Sequence, residues 1–244
     1  MMGSVQSMLL VLSSSLFLQS GCDGVFGLQH IYGDDEEDVS PDAQLASGSD
    51  APASCTIDRF DGGSTGVVWI PEHAPPASEV VFESGKLSVK INPTKQENAL
   101  AWTNRAYDLT GAATTVRVDK VIGDGDAETY FELERDAENY YFISYMNRQL
   151  VMAMGKNDVD QQIKSIAFDP VQHRYWRMQH VIARKAIVFS TSDDGIAFTE
   201  RHAITVVVPI DAVFIDLGGV IYSGTVTEAV STYDDFELCL GNQL

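Results

Sequence analysis

The chain has 244 residues, 45% of them hydrophobic, enough apolar material for one large buried core or two small ones. Sixteen Lys and Arg against thirty-five Asp and Glu leave a formal net charge of -19, the wrong sign for phosphate backbones and anionic lipid surfaces, so nucleic-acid binding is disfavoured. The acidity is uneven, because the first Lys or Arg in the chain is Arg59.

Met8 to Leu18 (MLLVLSSSLFL) is an apolar run. It is too short to cross a bilayer of about 30 Å, which takes roughly 20 apolar residues, and has the length of a signal-peptide core. Small residues Ser20 and Gly21 follow, then Cys22. The segment Leu18-Gln19-Ser20-Gly21-Cys22 resembles a bacterial lipobox. That resemblance implies a signal peptide over residues 1–21 and a diacylglyceryl group on Cys22, the first residue of the mature chain. It also implies attachment to a membrane of the bacterial cell envelope through the lipid, on the periplasmic side or at the cell surface. An ordinary signal peptide cut nearby, with Cys22 incidental, is the alternative.

Residues 22–54 read as an acidic flexible tether, with the run Gly33-Asp34-Asp35-Glu36-Glu37-Asp38 and Ser, Gly and Pro around it. Such a segment buries too little apolar area to offset its ordering entropy.

From Thr56 onward the apolar period is two, the mark of half-buried strands. Ala127 to Arg135 places Ala127, Thr129, Phe131 and Leu133 on one face, read as core. Glu128, Tyr130, Glu132 and Glu134 fall on the other, read as wet. Leu150, Met152 and Met154 repeat the pattern, as do Ile166 with Phe168, and Trp176 with Met178, His180 and Ile182. Turn signals separate these runs at Gly123 to Asp126, Asp136 to Asn139, Gly155 to Asp158 and Asp193 to Gly195. Residues 55–244 are therefore expected to form one all-β domain, a two-sheet antiparallel β-sandwich of about twelve strands.

Metal signals are weak. The five histidines are scattered, without the paired spacing of a zinc site. Asp124, Asp126 and Glu128 begin like a calcium loop but lack its later Gly and Glu, which leaves Ca²⁺ as the one cofactor candidate and none as the main expectation. Leu217-Gly218-Gly219-Val220 lies between strand patterns with no P-loop lysine, and reads as a bulge.

Several stretches carry a wider likeness: Ala106 to Gly111 leading into Thr115 to Val118, Asn139 to Ile143, His173 to Met178, Phe189 to Phe198 and Tyr233 to Leu238. Together they resemble the concanavalin A-like lectin and glucanase superfamily, in particular its laminin-G-like modules. The resemblance implies a jelly roll whose first and last strands are neighbours, often a carbohydrate or protein recognition module. The superfamily also hosts enzymes and spacers.

The expectation taken from this is a non-catalytic, monomeric recognition module binding a glycan or an envelope protein. Its ligand face is assigned to Tyr130, Glu132 and Tyr141. The alternatives are a glycoside hydrolase of the glucanase type and an envelope spacer. The hydrolase reading rests on Glu134, Asp136 and Glu138, whose spacing resembles the Glu-x-Asp-x-Glu of the glucanases. Thr191-x-Asp193-x-Gly195-x-x-Phe198 fits the loose Asp-box pattern and is read as hairpin capping.

Three cysteines are present, so lipidation of Cys22 leaves Cys55 and Cys239 as a pair in an oxidising compartment. The adjacency of terminal strands in the jelly roll implies a disulfide between them. Two buried free thiols are the alternative.

Overall fold

A computed structural model describes residues 54–61, 66–123 and 125–241. The expected signal peptide, Cys22, the expected tether up to residue 53, and Asp124 lie outside the described residues.

The described chain is strands joined by turns, with one 3-10 turn at Ile182–Arg184. In order the strands are β1 (Ser54–Asp58), β2 (Trp69–Glu72), β3 (Ser78–Glu83), β4 (Lys86–Ile91), β5 (Glu97–Thr103), β6 (Ala113–Lys120), β7 (Asp126–Asp136) and β8 (Asn139–Met146). They continue with β9 (Gln149–Lys156), β10 (Asp160–Ala167), β11 (Tyr175–Val181), β12 (Ala186–Ser192), β13 (Thr199–Thr205), β14 (Phe214–Ser223) and β15 (Val230–Leu240). Fifteen strands replace the expected twelve or so. Short strands add to the number: β2 has four residues, too few to show a clean apolar alternation. The strand expected around Ile166 is present as β10, almost wholly exposed, with Ile166 and, just beyond it, Phe168 partly buried against the core.

Two antiparallel sheets result. Sheet A runs β13-β12-β11-β6-β15-β4-β3, with β1 also paired to β15, and sheet B runs β10-β9-β8-β7-β14-β5-β2. Their facing sides enclose one core, to which the expected inward residues Phe131, Leu133, Leu150, Met152, Met154 and Trp176 all contribute. Ile182 departs from its expected inward place, because β11 ends at Val181 and the 3-10 turn leaves Ile182 61% exposed. The two-sheet antiparallel sandwich expected from the alternation, in the jelly-roll form that the resemblance implied, is thus the fold observed.

β15 binds this arrangement together. β6 lies along one of its edges, while the other is shared end to end by β4, opposite Val230 to Tyr233, and β1, opposite Phe236 to Leu240. The first and last strands are therefore neighbours. Cys55 stands directly opposite Cys239, with Cα atoms 4.0 Å apart, and the two form a disulfide.

Candidate functional site

β7 and β14 lie side by side near the middle of sheet B. Because directly opposed residues point to the same side of a sheet, their register composes its outer face residue by residue. Glu132 stands opposite Asp216, Tyr130 opposite Gly218, and Glu128 opposite Val220. On the flanks, Trp102 of β5 is opposite Asp216, and Phe142 of β8 is opposite Glu132.

This face is not the wet surface that the alternation suggested. Glu128, Tyr130, Glu132 and Asp216 are all buried, at 1 to 4% exposure. Part of the reason is that large rings lie flat over glycines. A Cβ on Gly218 would meet the Tyr130 ring at 2.3 Å, and one on Gly155 would meet the Tyr140 ring at 2.2 Å. The Tyr130 hydroxyl donates to Asn98 Oδ1 (3.0 Å), and that of Tyr140 to Asp160 Oδ1 (3.0 Å), so each ring is fastened at its far end. Gly218 and Gly219 sit in regular register, not in the expected bulge. Gly218 makes room for Tyr130, while Gly219 faces the core, where a Cβ would come within 2.8 Å of Ile122.

From beneath, the core holds the same strands in place. The Tyr233 hydroxyl reaches across from sheet A to the carbonyl oxygens of Tyr130 (2.9 Å) and Gly218. Thr129 Oγ1 shares a hydrogen bond with Ser231 Oγ (2.8 Å).

The centre of the face is a carboxylate group. One oxygen each of Glu132, Glu134 and Asp216 lie within 4.8 Å of one another. Burial first, then the neighbouring Glu134, Glu128 and Asp160, push the Glu132 carboxyl well above the ordinary range. Burial, Glu132 and a hydrogen bond with Glu134 do the same to Asp216. Both shifts favour the protonated form of these two acids relative to a solvated carboxyl. Glu134 is only half-buried.

Trp102 packs edge-on to Phe214, ring centroids 5.4 Å apart, beside this group. Its Nε1 is buried without a hydrogen-bond partner, as are Glu132 Oε2 and Asp216 Oδ1. Further along the face, burial raises Glu128 to about 7, although its carboxylate accepts from the Tyr222 hydroxyl. Ser144 Oγ lies near enough to Glu128 to favour its charged form slightly, yet it makes no hydrogen bond of good geometry. Asp160 Oδ2 is likewise unpaired.

The residues expected from sequence fall as follows. Glu132 and Tyr130 are on this face, buried. Tyr141 is not: it points into the core at 0% exposure, where its hydroxyl donates to Val208 O (3.1 Å) and accepts from the Val207 and Val208 amides (both 3.0 Å). The Glu134, Asp136 and Glu138 set is split by an irregularity in pairing between Glu134 and Asp136. Only Glu134 joins the cluster. Asp136 caps the β7–β8 hairpin through the Glu138 amide (3.1 Å) and Asn139 Nδ2 (2.7 Å), and Glu138 is exposed in the turn.

Of the calcium candidates, Asp124 lies outside the described residues. Asp126 accepts from Ser223 Oγ (2.6 Å) and Glu128 from Tyr222, and the two form no cation-holding group among the described residues. Such groups are two: the carboxylates above, and Glu237 with Cys55 and Cys239, whose sulfurs are committed to the disulfide. The Asp-box segment is a capped turn as expected, but Asp194 does the capping, accepting from the Ile196 (2.7 Å) and Ala197 (2.9 Å) amides.

Asp216 and Trp102 escaped the sequence reading. The signal was a single acid inside an otherwise apolar strand, Phe214-Ile215-Asp216-Leu217.

No family model matches the chain. No curated protein matches it in sequence. Among solved structures it resembles a prokaryotic β-1,3-1,4-glucanase (lichenase) derived from a mouse hindgut metagenome, at TM-score 0.58 and 10% identity over 77% of this chain and 99% of that one. The Bacillus licheniformis β-glucanase gives 0.57 and 11%, over 77% and 98% of the two chains. The Crh5 transglycosylase in complex with NAG gives 0.59 and 12%, over 79% and 86%.

The likeness shows the fold, a two-sheet jelly roll shared with these glucanases and this transglycosylase. The expectation of a non-catalytic module is corrected: the folds matched are those of glucanases and a transglycosylase, and the face expected to read ligands through exposed tyrosines holds buried carboxyls instead.

Proposed function

We propose that the protein is a glycan-cleaving or glycan-transferring enzyme that acts through Glu132, Glu134 and Asp216. The observation that carries this reading is the convergence of the three carboxylates within 4.8 Å on a face lined by aromatic rings. Enzymes that cleave glycosides with retention place two carboxyl groups about 5 to 5.5 Å apart, whereas inverting ones leave room for a water at about 6.5 to 9.5 Å. The oxygens here lie closer together than the gap that inverting enzymes leave for a water, which favours retention.

Asp216, which holds its proton, protonates the leaving oxygen. Glu134, the member least buried, attacks the anomeric carbon, and Glu132 positions the other two. Trp102 and Phe214 supply a stacking surface for a sugar ring. No cofactor enters such a reaction. Incubation with a mixed-linkage β-glucan, chitin oligomers and chitosan oligomers, followed by measurement of new reducing ends and of product chain lengths by mass spectrometry, tests the reading. Cleavage or redistribution of chain lengths with at least one, lost in Glu134→Gln and in Asp216→Asn with folding intact, supports it; neither new ends nor altered lengths from any of the three overturns it.

Export to the bacterial cell envelope is part of the same proposal. The Cys55–Cys239 disulfide suits an oxidising compartment. Anchoring through a lipid on Cys22 is tested by metabolic labelling with a palmitate analogue, expected to vanish in Cys22→Ala; persistence of the label refutes it.

A further inference from the structure

The outer face of sheet B has one sign of charge. Glu72, Glu128, Glu132, Glu134, Asp160 and Asp216 point to it by the strand register. Among the described residues of these strands, no Lys, Arg or His does. The bases that sheet B contains, Arg135, Lys156 and Lys164, fall on the opposite alternation, and Arg135 is paired with Asp211 (2.6 Å). Three of the six acids, Glu132, Asp160 and Asp216, each keep a buried oxygen with no partner. Fully buried Ser144 Oγ on the same face is also unpaired.

A face so rich in acceptors and so poor in counter-charge leaves polar atoms desolvated without compensation, a cost that a ligand bringing donors removes. A sugar hydroxyl brings one hydrogen and asks for an acceptor's share in return. An ammonium brings three hydrogens, needs none, and forms charge-assisted bonds about twice as strong as neutral ones. An anionic sugar finds no counter-charge on this face among the described residues of these strands.

We infer that the glycan bound here carries free amino groups, a de-N-acetylated amino-sugar chain being the simplest form; the inference rests on the glycan reading above. The net charge of -19 steers such a polycation toward the protein from a distance. Burial and mutual repulsion keep protons on the face's carboxyls, so an arriving ammonium displaces protons to solvent.

Calorimetric titration of the full chain with three tetramers of equal length, β-1,4-glucosamine, β-1,4-N-acetylglucosamine and cellotetraose, tests this. The free-amine tetramer is expected to bind at least about ten-fold tighter than either other. Its advantage should shrink as salt rises from low to 0.5 M or so, and buffers of different ionisation enthalpy should reveal proton release. Asp160→Asn, outside the catalytic group, should reduce the amine preference several-fold. Equal affinities, or a preference insensitive to salt, overturn the inference while leaving the enzyme reading intact. Binding and cleavage of none of the three overturns both.

Discussion

If the Tyr130 ring occupies the space that Gly218 leaves, the pair should be energetically coupled in a way that neither residue shows alone. In Gly218→Ala the new methyl would sit 2.3 Å from the ring, and the ring has little freedom to move, because its hydroxyl is fastened to Asn98 Oδ1 at 3.0 Å. Overpacking of this kind costs about 1–3 kcal/mol, and loss of the hydrogen bond about 1 more. The better strand propensity of Ala returns about 0.5–1 kcal/mol, for a net destabilisation of about 1–3.5 kcal/mol. Tyr130→Ala removes a buried ring at about 3–5 kcal/mol. In the double variant the clash has vanished, so the sum of the single effects should overshoot by about 1–3 kcal/mol. Urea unfolding followed by circular dichroism measures all four corners of the cycle. Additivity to within about 0.5 kcal/mol would refute the argument that Gly218 exists for Tyr130.

Glu128 makes a pH prediction. Its pKa rises from 4.5 to about 7, so the folded state retains a proton that the unfolded chain gives up, and stability should fall as pH climbs through that window, by at most about 3 kcal/mol. Glu128→Gln keeps an acceptor for Tyr222 and should flatten the curve, being more stable than the parent at pH 8; an equal difference at pH 4.5 and pH 8 contradicts this. Replacing Cys55 and Cys239 by Ser and Ala opens a cross-link of sequence separation 184, worth up to roughly 5 kcal/mol by chain entropy. A drop in Tm matched by reduction of the parent is expected, and no drop in either counts against the bridge. Tyr141→Phe leaves the part-buried amide of Val207 and the buried amide of Val208 without their acceptor and should cost about 1–3 kcal/mol in urea unfolding without changing oligosaccharide affinity. An affinity loss at unchanged stability would return Tyr141 to the ligand face.

Much of the fold was written locally. Period-two alternation marks Phe131, Leu133, Leu150, Met152 and Trp176 as core because strand geometry leaves them no other side, and it also puts Glu128, Tyr130, Glu132 and Glu134 on one face. What alternation cannot state is whether the second face is solvated. That depends on Gly218 of β14, far from Tyr130 in sequence, and on Gly155 of β9, on the strand next to Tyr140, admitting the two rings. For the same reason Asp216 was illegible: its partner Glu132 lies 84 positions earlier and meets it only through the β7–β14 register. Glu134, Asp136 and Glu138 failed as a set for a local reason, since the chain turns after β7 and a spacing counted along an uninterrupted strand no longer applies.

The separation of the Glu132, Glu134 and Asp216 carboxylates commits the enzyme reading to one stereochemical outcome. Proton NMR of the anomeric signals during the first minutes of cleavage of a β-linked oligosaccharide tests it most directly. The β anomer should appear first and relax to the equilibrium mixture by mutarotation; initial release of the α anomer, or no cleavage of any oligosaccharide, would contradict the account.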